Sequence, residues 1–223
     1  MSGRKKFDPS IYFILDPGVC GGRDPYEVAQ AAIKGGITML QLREKTPDLV
    51  QTPELARRLV ALTGGSTISF IVNDHVALAR EVGADGVHLG QGDTAPAEAR
   101  DMLGAQAIIG LTAFERAHLE AIDPGVVDYV GTGPFYETKT DKGKSVLGPE
   151  KFAELAALSP VPVVGIGGIT PGNAGAVINA GANGVAMMRA ISEAEDPEAA
   201  ARKFVIQLAS RSAGGGYMAG ATG

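Results

Sequence analysis

Three things are scarce in this chain, and each scarcity excludes a class of protein. There is one cysteine, Cys20, in 223 residues, which rules out an intrachain disulfide framework and a centre built on several thiolates, and fits a reduced, cytoplasmic setting. No apolar run approaches the length of a membrane span. After a basic start only Ile11–Leu15 is apolar before Asp16, which is also too short for a secretory leader. There is no dense basic patch, and the formal net charge is −5. Neither nucleic acid nor an anionic membrane is therefore expected as a main partner. A net-negative chain can still bind anions, because the local field at a site outweighs the total charge.

Glycine is what the chain has in excess: 31 residues, about twice the usual share, many at joints between predicted elements. Hydrophobic residues make up 45%, enough to bury a sizeable core, and the length fits a single barrel domain. Strand-like apolar runs fall near Ile11–Leu15, Met39–Leu42, Ser69–Val72, Gly86–Leu89, Ala107–Leu111, Tyr129–Gly131, Val161–Gly165 and Gly184–Met187. Helical patterns fill the intervals, over Pro25–Lys34, Pro53–Leu62, His75–Val82, Ala95–Leu103, Phe114–Ile122, Pro149–Leu158, Asn173–Ala180 and Pro197–Ala209. Eight strands alternating with eight helices predict one α/β domain, a closed (β/α)8 TIM barrel over 10–211, with an arm at 1–9 and a flexible glycine-bearing tail at 212–223. Thr52, Thr94 and Asp196, each near an early proline, are expected to cap helices, and Gly83 and Gly181 to close them. Val82–Val87 and Ala180–Val185 resemble one another, as one helix-to-strand turn used twice, with Asp or Asn next to Gly suiting positive φ.

Chemistry-bearing residues cluster where strands end, and in such a barrel those ends share one rim. Gln41, Arg43 and Lys45 are two apart, so they share a strand face, with Leu40 and Leu42 turned to the helices. Two cations and an amide aimed at a barrel mouth suit a polyphosphate, with arginine offering a bidentate fork. A solvated basic turn paired with Glu44 is the competing reading. The third strand runs into Asn73-Asp74 and the fourth into Gln91-Gly92-Asp93. Two carboxylates from adjacent strand ends suit Mg²⁺, which takes few protein carboxylates and completes its shell with water and phosphate oxygens. Helix capping by Asp74 and a turn role for Asp93 compete with that reading. Gly165-Ile166-Gly167-Gly168 after the seventh strand, beside Met187-Met188-Arg189 after the eighth, matches a phosphate site in which glycine lets the phosphate approach bare backbone. Thr112 ends the fifth strand. Thr138, Lys139, Thr140 and Lys142 lie in a long loop after the sixth, of a length that often serves function. No chemistry is assigned to His75, His88 or His118; His88 reads as a packed residue and His118 as a surface one.

These motifs together resemble the thiamine-phosphate synthase family: Gln41-Leu42-Arg43-Glu44-Lys45, Val72-Asn73-Asp74-His75, Gly86 to Asp93, Asp128 to Pro134, and Gly165 to Ile169, in order between about Ile11 and Phe204. The resemblance implies a transferase that joins a hydroxymethylpyrimidine diphosphate to a thiazole phosphate and releases pyrophosphate, using Mg²⁺. It implies that Gln41, Arg43, Lys45 and Asn73 hold the pyrimidine diphosphate and that Asp74 and Asp93 bind the metal. Thr112 would stand where the family has a serine, near the pyrophosphate. Thr138, Thr140, Lys142, Gly168, Met188 and Arg189 would meet the thiazole phosphate or close over it. Arg43, Lys45 and Thr112 would carry the catalytic charge stabilisation. Three positions depart from the family: Asp141 follows Thr138-Lys139-Thr140 where a lysine is usual, Met187-Met188-Arg189 replaces small residues, and Phe114 replaces a histidine. The chain is read as a divergent member. A thiazole tautomerase on the same barrel, or a barrel that senses phosphorylated ligands without turnover, are the alternatives. A homo-oligomer is compatible with the sequence and not specified by it.

Overall fold

A computed structural model describes residues 4–45, 48, 51–140, 143 and 145–212. Eight short parallel strands alternate with helices: β1 (Ile11–Leu15), α1 (Pro25–Lys34), β2 (Met39–Leu42), α2 (Gln51–Thr63), β3 (Ser69–Asn73), α3 (Val76–Val82), β4 (Gly86–Leu89), α4 (Pro96–Leu103), β5 (Ile108–Thr112), α5 (Arg116–Glu120), β6 (Tyr129–Thr132), α6 (Gly148–Ala156), β7 (Val163–Ile166), α7 (Ala174–Asn179), β8 (Gly184–Met187), α8 (Arg189–Ser192) and α9 (Pro197–Ser212). The strands close in sequence order, β8 pairing back onto β1 with Tyr12 opposite Ala186. All five residues of β1 are buried, as expected of a parallel strand covered on both faces.

Strand alternation separates two cores. Phe13, Leu40, Leu42, Val72, Val130 and Val185 face outward into the helical layer. Tyr12, Ile14, Met39, Ile71, Ile108, Tyr129, Val164 and Ala186 fill the barrel. Glycines keep the strands close: a Cβ at Gly86 would stand 1.9 Å from the Ile108 carbonyl oxygen, and one at Gly184 would stand 1.8 Å from that of Pro9.

The two similar segments are the helix-to-strand turns expected, joining α3 to β4 and α7 to β8, but their Asp and Asn do a different job from the one expected. Gly83 and Gly181 supply the positive φ, at 72° and 101°. Asp85 and Asn183 instead reach back to the preceding strand. The Phe70 amide donates to Asp85 Oδ2 at 2.9 Å, and the Val163 amide donates to Asn183 Oδ1 at 2.8 Å. The Asp85 and Asn183 amides donate in return to the Phe70 and Val163 carbonyls. Asp128 repeats the device on Ile109, so one two-way clamp sets strand register at three places around the barrel.

Asp128 also receives Arg4 at 2.8 Å and Arg100 at 2.6 Å, and Lys5 pairs with Asp85. Phe7 packs against the inner core. The segment from residue 4 to residue 9 is thus tied across the bottom of the barrel; residues 213–223 lie outside the described set. Two expected caps are displaced. Thr52 lies inside α2, which starts at Gln51, and α4 is preceded by Ala95 with no side-chain cap. Asp196 does cap, accepting from the Ala199 amide at 2.9 Å. The four-residue α8 and a 3-10 turn at Pro17–Val19 are too short for hydrophobic periodicity to reveal. No helix among the described residues is long and apolar enough to cross a membrane.

The clamps carry a direct test. Asn183→Ala leaves the buried Val163 amide without its acceptor, and should cost about 1–3 kcal/mol of stability in urea unfolding. An unchanged midpoint would show that the clamp contributes nothing.

Candidate active site

All eight strands contribute to one cavity of about 570 Å³ at their C-terminal ends. Every described residue singled out from the sequence lines it: Gln41, Arg43, Lys45, Asn73, Asp74, Asp93, Thr112, Thr138, Thr140, Gly168, Met188 and Arg189. Lys142 lies outside the described residues.

On one wall the charges are held in pairs. Arg43 Nη1 lies 2.6 Å from Asp16 Oδ2, and Lys45 Nζ lies 2.5 Å from Asp74 Oδ2. Asp16, missed in the sequence, obeys the same rule as the others, since it directly follows β1. Its other oxygen accepts from the Gly18 amide at 3.0 Å, which fixes the carboxylate and with it the guanidinium.

Asp74 has a positive φ of 61°, alone among non-glycine described residues. Such strain persists where the surroundings impose it, and it concentrates at functional sites. Asp74 is not a helix cap: the residue before α3 is His75, which makes no side-chain cap bond. Its carboxyl is pushed above the usual carboxylate range by burial first, with Asp93 adding and Lys45 opposing. Burial also acts upward on Asp93, but hydrogen bonds from Asp74 and the Gly90 amide, with the Lys45 charge, bring it below that range. The Gly90 amide is 2.7 Å from Asp93 Oδ2, so Asp93 does hold its turn. Beside the two carboxyls, the Asn73 side chain is 6% exposed, and its Nδ2 donor meets no acceptor among the described residues.

The opposite wall is built from the loops after β6 and β7. The Phe135 and Tyr136 amides donate to the Ile166 and Gly167 carbonyls at 2.8 and 3.0 Å. Gly167 and Gly168 have φ of 99° and 64°. A Cβ on Gly167 would stand 2.5 Å from Pro134 Cβ, and one on Gly168 would stand 2.4 Å from the Glu137 carbonyl oxygen. Glycine is required here already by the packing of the neighbouring loop, a reason the sequence did not disclose. Arg189 Nε donates to Thr140 Oγ1 at 3.4 Å while its guanidinium pairs with Glu193. Arg189 therefore ties the long loop to α8.

The floor holds residues that sequence reasoning passed over. His88 faces inward, with Nε2 3.0 Å from Thr112 Oγ1 and Nδ1 3.1 Å from the Tyr129 hydroxyl. Burial, helped by the Lys45 charge and opposed by Asp93, lowers its pKa to about 4, so the imidazole is neutral. A Cβ at Gly110 would stand 2.2 Å from Tyr129 Cζ and 2.6 Å from His88 Nδ1; this glycine makes room for both rings. His118 is not a surface residue: its side chain is 19% exposed and packs edge-on against Phe114, with centroids 4.7 Å apart. Phe114 itself sits 40% exposed at the cavity mouth.

Known proteins share this chain's sequence and fold. The family model described as thiamine monophosphate synthase matches residues 11–191. A thiamine-phosphate synthase of Laribacter hongkongensis is 45% identical over 203 residues, spanning 90% of this chain and 96% of that protein. One of Azorhizobium caulinodans is 43% identical over 209 residues, spanning 92% and 98%. Among solved structures, a thiamine phosphate pyrophosphorylase from Pyrococcus furiosus superposes with a TM-score of 0.82 at 28% identity, covering 91% of this chain and 96% of that one.

The crowding at the floor predicts that Gly110→Ala loses about 1–3 kcal/mol, as overpacked cores do, read by urea unfolding. Wild-type stability in that variant would mean that the rings are not held as described.

Proposed function

Because the chain belongs to the thiamine monophosphate synthase family, we propose that it condenses an aminopyrimidine methyl diphosphate with a thiazole phosphate to give thiamine phosphate and pyrophosphate. One observation carries this reading: Arg43, Lys45, Asp74, Asp93 and Thr112, with the unpartnered Asn73 amide, converge on one cavity. That set suits a substrate with a diphosphate leaving group.

The residues present fit Mg²⁺. Asp74 and Asp93 offer hard oxygen ligands in contact with each other. Among the described residues no three His, Cys, Asp or Glu side chains form a metal cage, so substrate oxygens and water would complete the shell. When bound, the ion would supply positive charge against the diphosphate oxygens.

The chain's own residues do the rest. The methylene C–O bond breaks with its electron pair leaving on the diphosphate. Arg43 and Lys45 meet the charge that grows there, and the Thr112 hydroxyl adds a hydrogen bond. The electron-rich aminopyrimidine carries the positive charge left on the methylene carbon, and the thiazole nitrogen closes the new C–N bond. The loops after β6 and β7, tied to α8 through Thr140 and Arg189, hold the second substrate by its phosphate and orient it for attack. No protein nucleophile is needed, so the rate comes from positioning and charge stabilisation. A tautomerase reading would want a proton-transfer group after β5, where Phe114 is apolar. A sensor would bind both substrates without releasing pyrophosphate.

An assay with both substrates, following pyrophosphate and thiamine phosphate together, tests the class; binding without turnover would favour the sensor. Within it, Asp93→Asn should lower turnover most at limiting Mg²⁺ while leaving the unfolding midpoint within about 1 kcal/mol. Arg43→Ala should weaken the diphosphate substrate by at least about tenfold, as loss of a charge-assisted bond does. Wild-type kinetics in both variants would refute the site assignment.

A further inference from the structure

An unbroken string of hydrogen bonds crosses the barrel floor beneath the cavity. Gln41 Nε2 lies 2.7 Å from the Tyr12 hydroxyl, which lies 2.8 Å from the Tyr129 hydroxyl. Tyr129 reaches His88 Nδ1 at 3.1 Å, and His88 Nε2 reaches Thr112 Oγ1 at 3.0 Å. Five residues from β2, β1, β6, β4 and β5 are thus joined end to end. The inner part of the string is shielded from water: Gln41 and Tyr12 are each 2% exposed and Tyr129 is fully buried, while His88 and Thr112 are half-buried on the cavity side. The strands leave space for it, since a Cβ at Gly110 would fall 2.4 Å from the Tyr129 hydroxyl and one at Gly131 would fall 3.1 Å from His88 Cε1.

We propose that this string is a one-way relay in which Gln41, Tyr12, Tyr129 and His88 act as positioning residues, turning the Thr112 hydroxyl into a donor aimed at the cavity. The argument is one of counting protons. A hydroxyl, or a neutral imidazole, can run in either direction, but an amide NH₂ can only donate. Tyr12 accepts from Gln41, and the one partner within the string left for its single proton is Tyr129. Tyr129, having accepted from Tyr12, gives its proton to His88 Nδ1. His88 therefore carries its hydrogen on Nε2 and donates it to Thr112 Oγ1. With one lone pair engaged, the Thr112 proton is free to point into the cavity, where it suits an acceptor atom.

Neutrality of every member is what the counting requires. Burial supplies it by lowering His88 and raising both tyrosine hydroxyls above their ordinary values. Were the Gln41 amide turned over, each bond would reverse, and Thr112 would show the ligand only lone pairs, which repel a phosphate oxygen. Naming the acceptor as an oxygen of the diphosphate rests on the function proposed above; the relay itself does not.

The His88 tautomer reports the direction without any substrate. Long-range ¹H–¹⁵N correlation spectra of the wild-type protein, with the signal assigned by its loss in His88→Gln, should show hydrogen on Nε2. Hydrogen on Nδ1 would overturn the proposal outright. Kinetics then test the consequence. Tyr129→Phe should lower kcat about tenfold, the worth of one hydrogen bond to a charged group, with KM for the thiazole phosphate little changed. The double variant Tyr129→Phe/Thr112→Val should be no slower than Thr112→Val alone, because the relay acts only through Thr112. Independent, multiplicative losses would overturn it. Should the protein prove not to make thiamine phosphate, the tautomer would still stand or fall by itself.

Discussion

The interior of a closed eight-stranded parallel barrel is narrow, and everything at its mouth rests on what fills it. Eight inward-facing side chains pack inside it, two of them tyrosines. Tyr129 and His88 have room among them because Gly110 and Gly131 give up their side chains. That exchange of glycine for ring volume converts a hydrophobic plug into a polar floor. The floor in turn sets Thr112, and the strand ends above it set the cations and carboxylates. Position along a strand therefore decides chemistry: apolar and neutral hydrogen-bonding side chains inside the barrel, charged ones at the rim.

The rim is prearranged by pairing opposite charges before any ligand arrives. Asp16 holds Arg43 and Asp74 holds Lys45, so neither cation needs to be ordered on binding, and both carboxylates are part of the same electrostatic set. Binding a diphosphate with a divalent cation would exchange these partners for stronger ones. The raised Asp74 and lowered Asp93 are what burial, the Lys45 charge and direct contact between two carboxyls produce. The backbone strain at Asp74, φ 61°, is the conformational cost of turning that carboxylate toward its neighbours.

Much of this was legible in the sequence, and the limits have physical causes. Gln41, Arg43 and Lys45 could be placed on one face because a strand repeats every two residues, and the order of eight strands followed from alternating periodicities. Asp74 and Asp93 were found because both follow strands; Asp16 follows one too but was not singled out, since no neighbouring motif marks it. Tyr12 and Tyr129, 117 residues apart, become partners only when the barrel closes, and no local pattern announces that. His88 looked like packing because burial and function coincide at a floor. Thr52 and Thr94 failed as caps because capping depends on which residue opens the first turn. Asp85 and Asn183 looked like turn residues, and their reach to the preceding strand is a property of the folded sheet alone.

The central claim is that one cluster of side chains receives the leaving group, and a crystal structure of the protein with thiamine phosphate, pyrophosphate and Mg²⁺ tests it most directly. The account predicts pyrophosphate on Arg43, Lys45 and Thr112, with the metal bridging it to Asp74 and Asp93. Pyrophosphate bound elsewhere on the molecule, or a metal that touches neither aspartate, would contradict it.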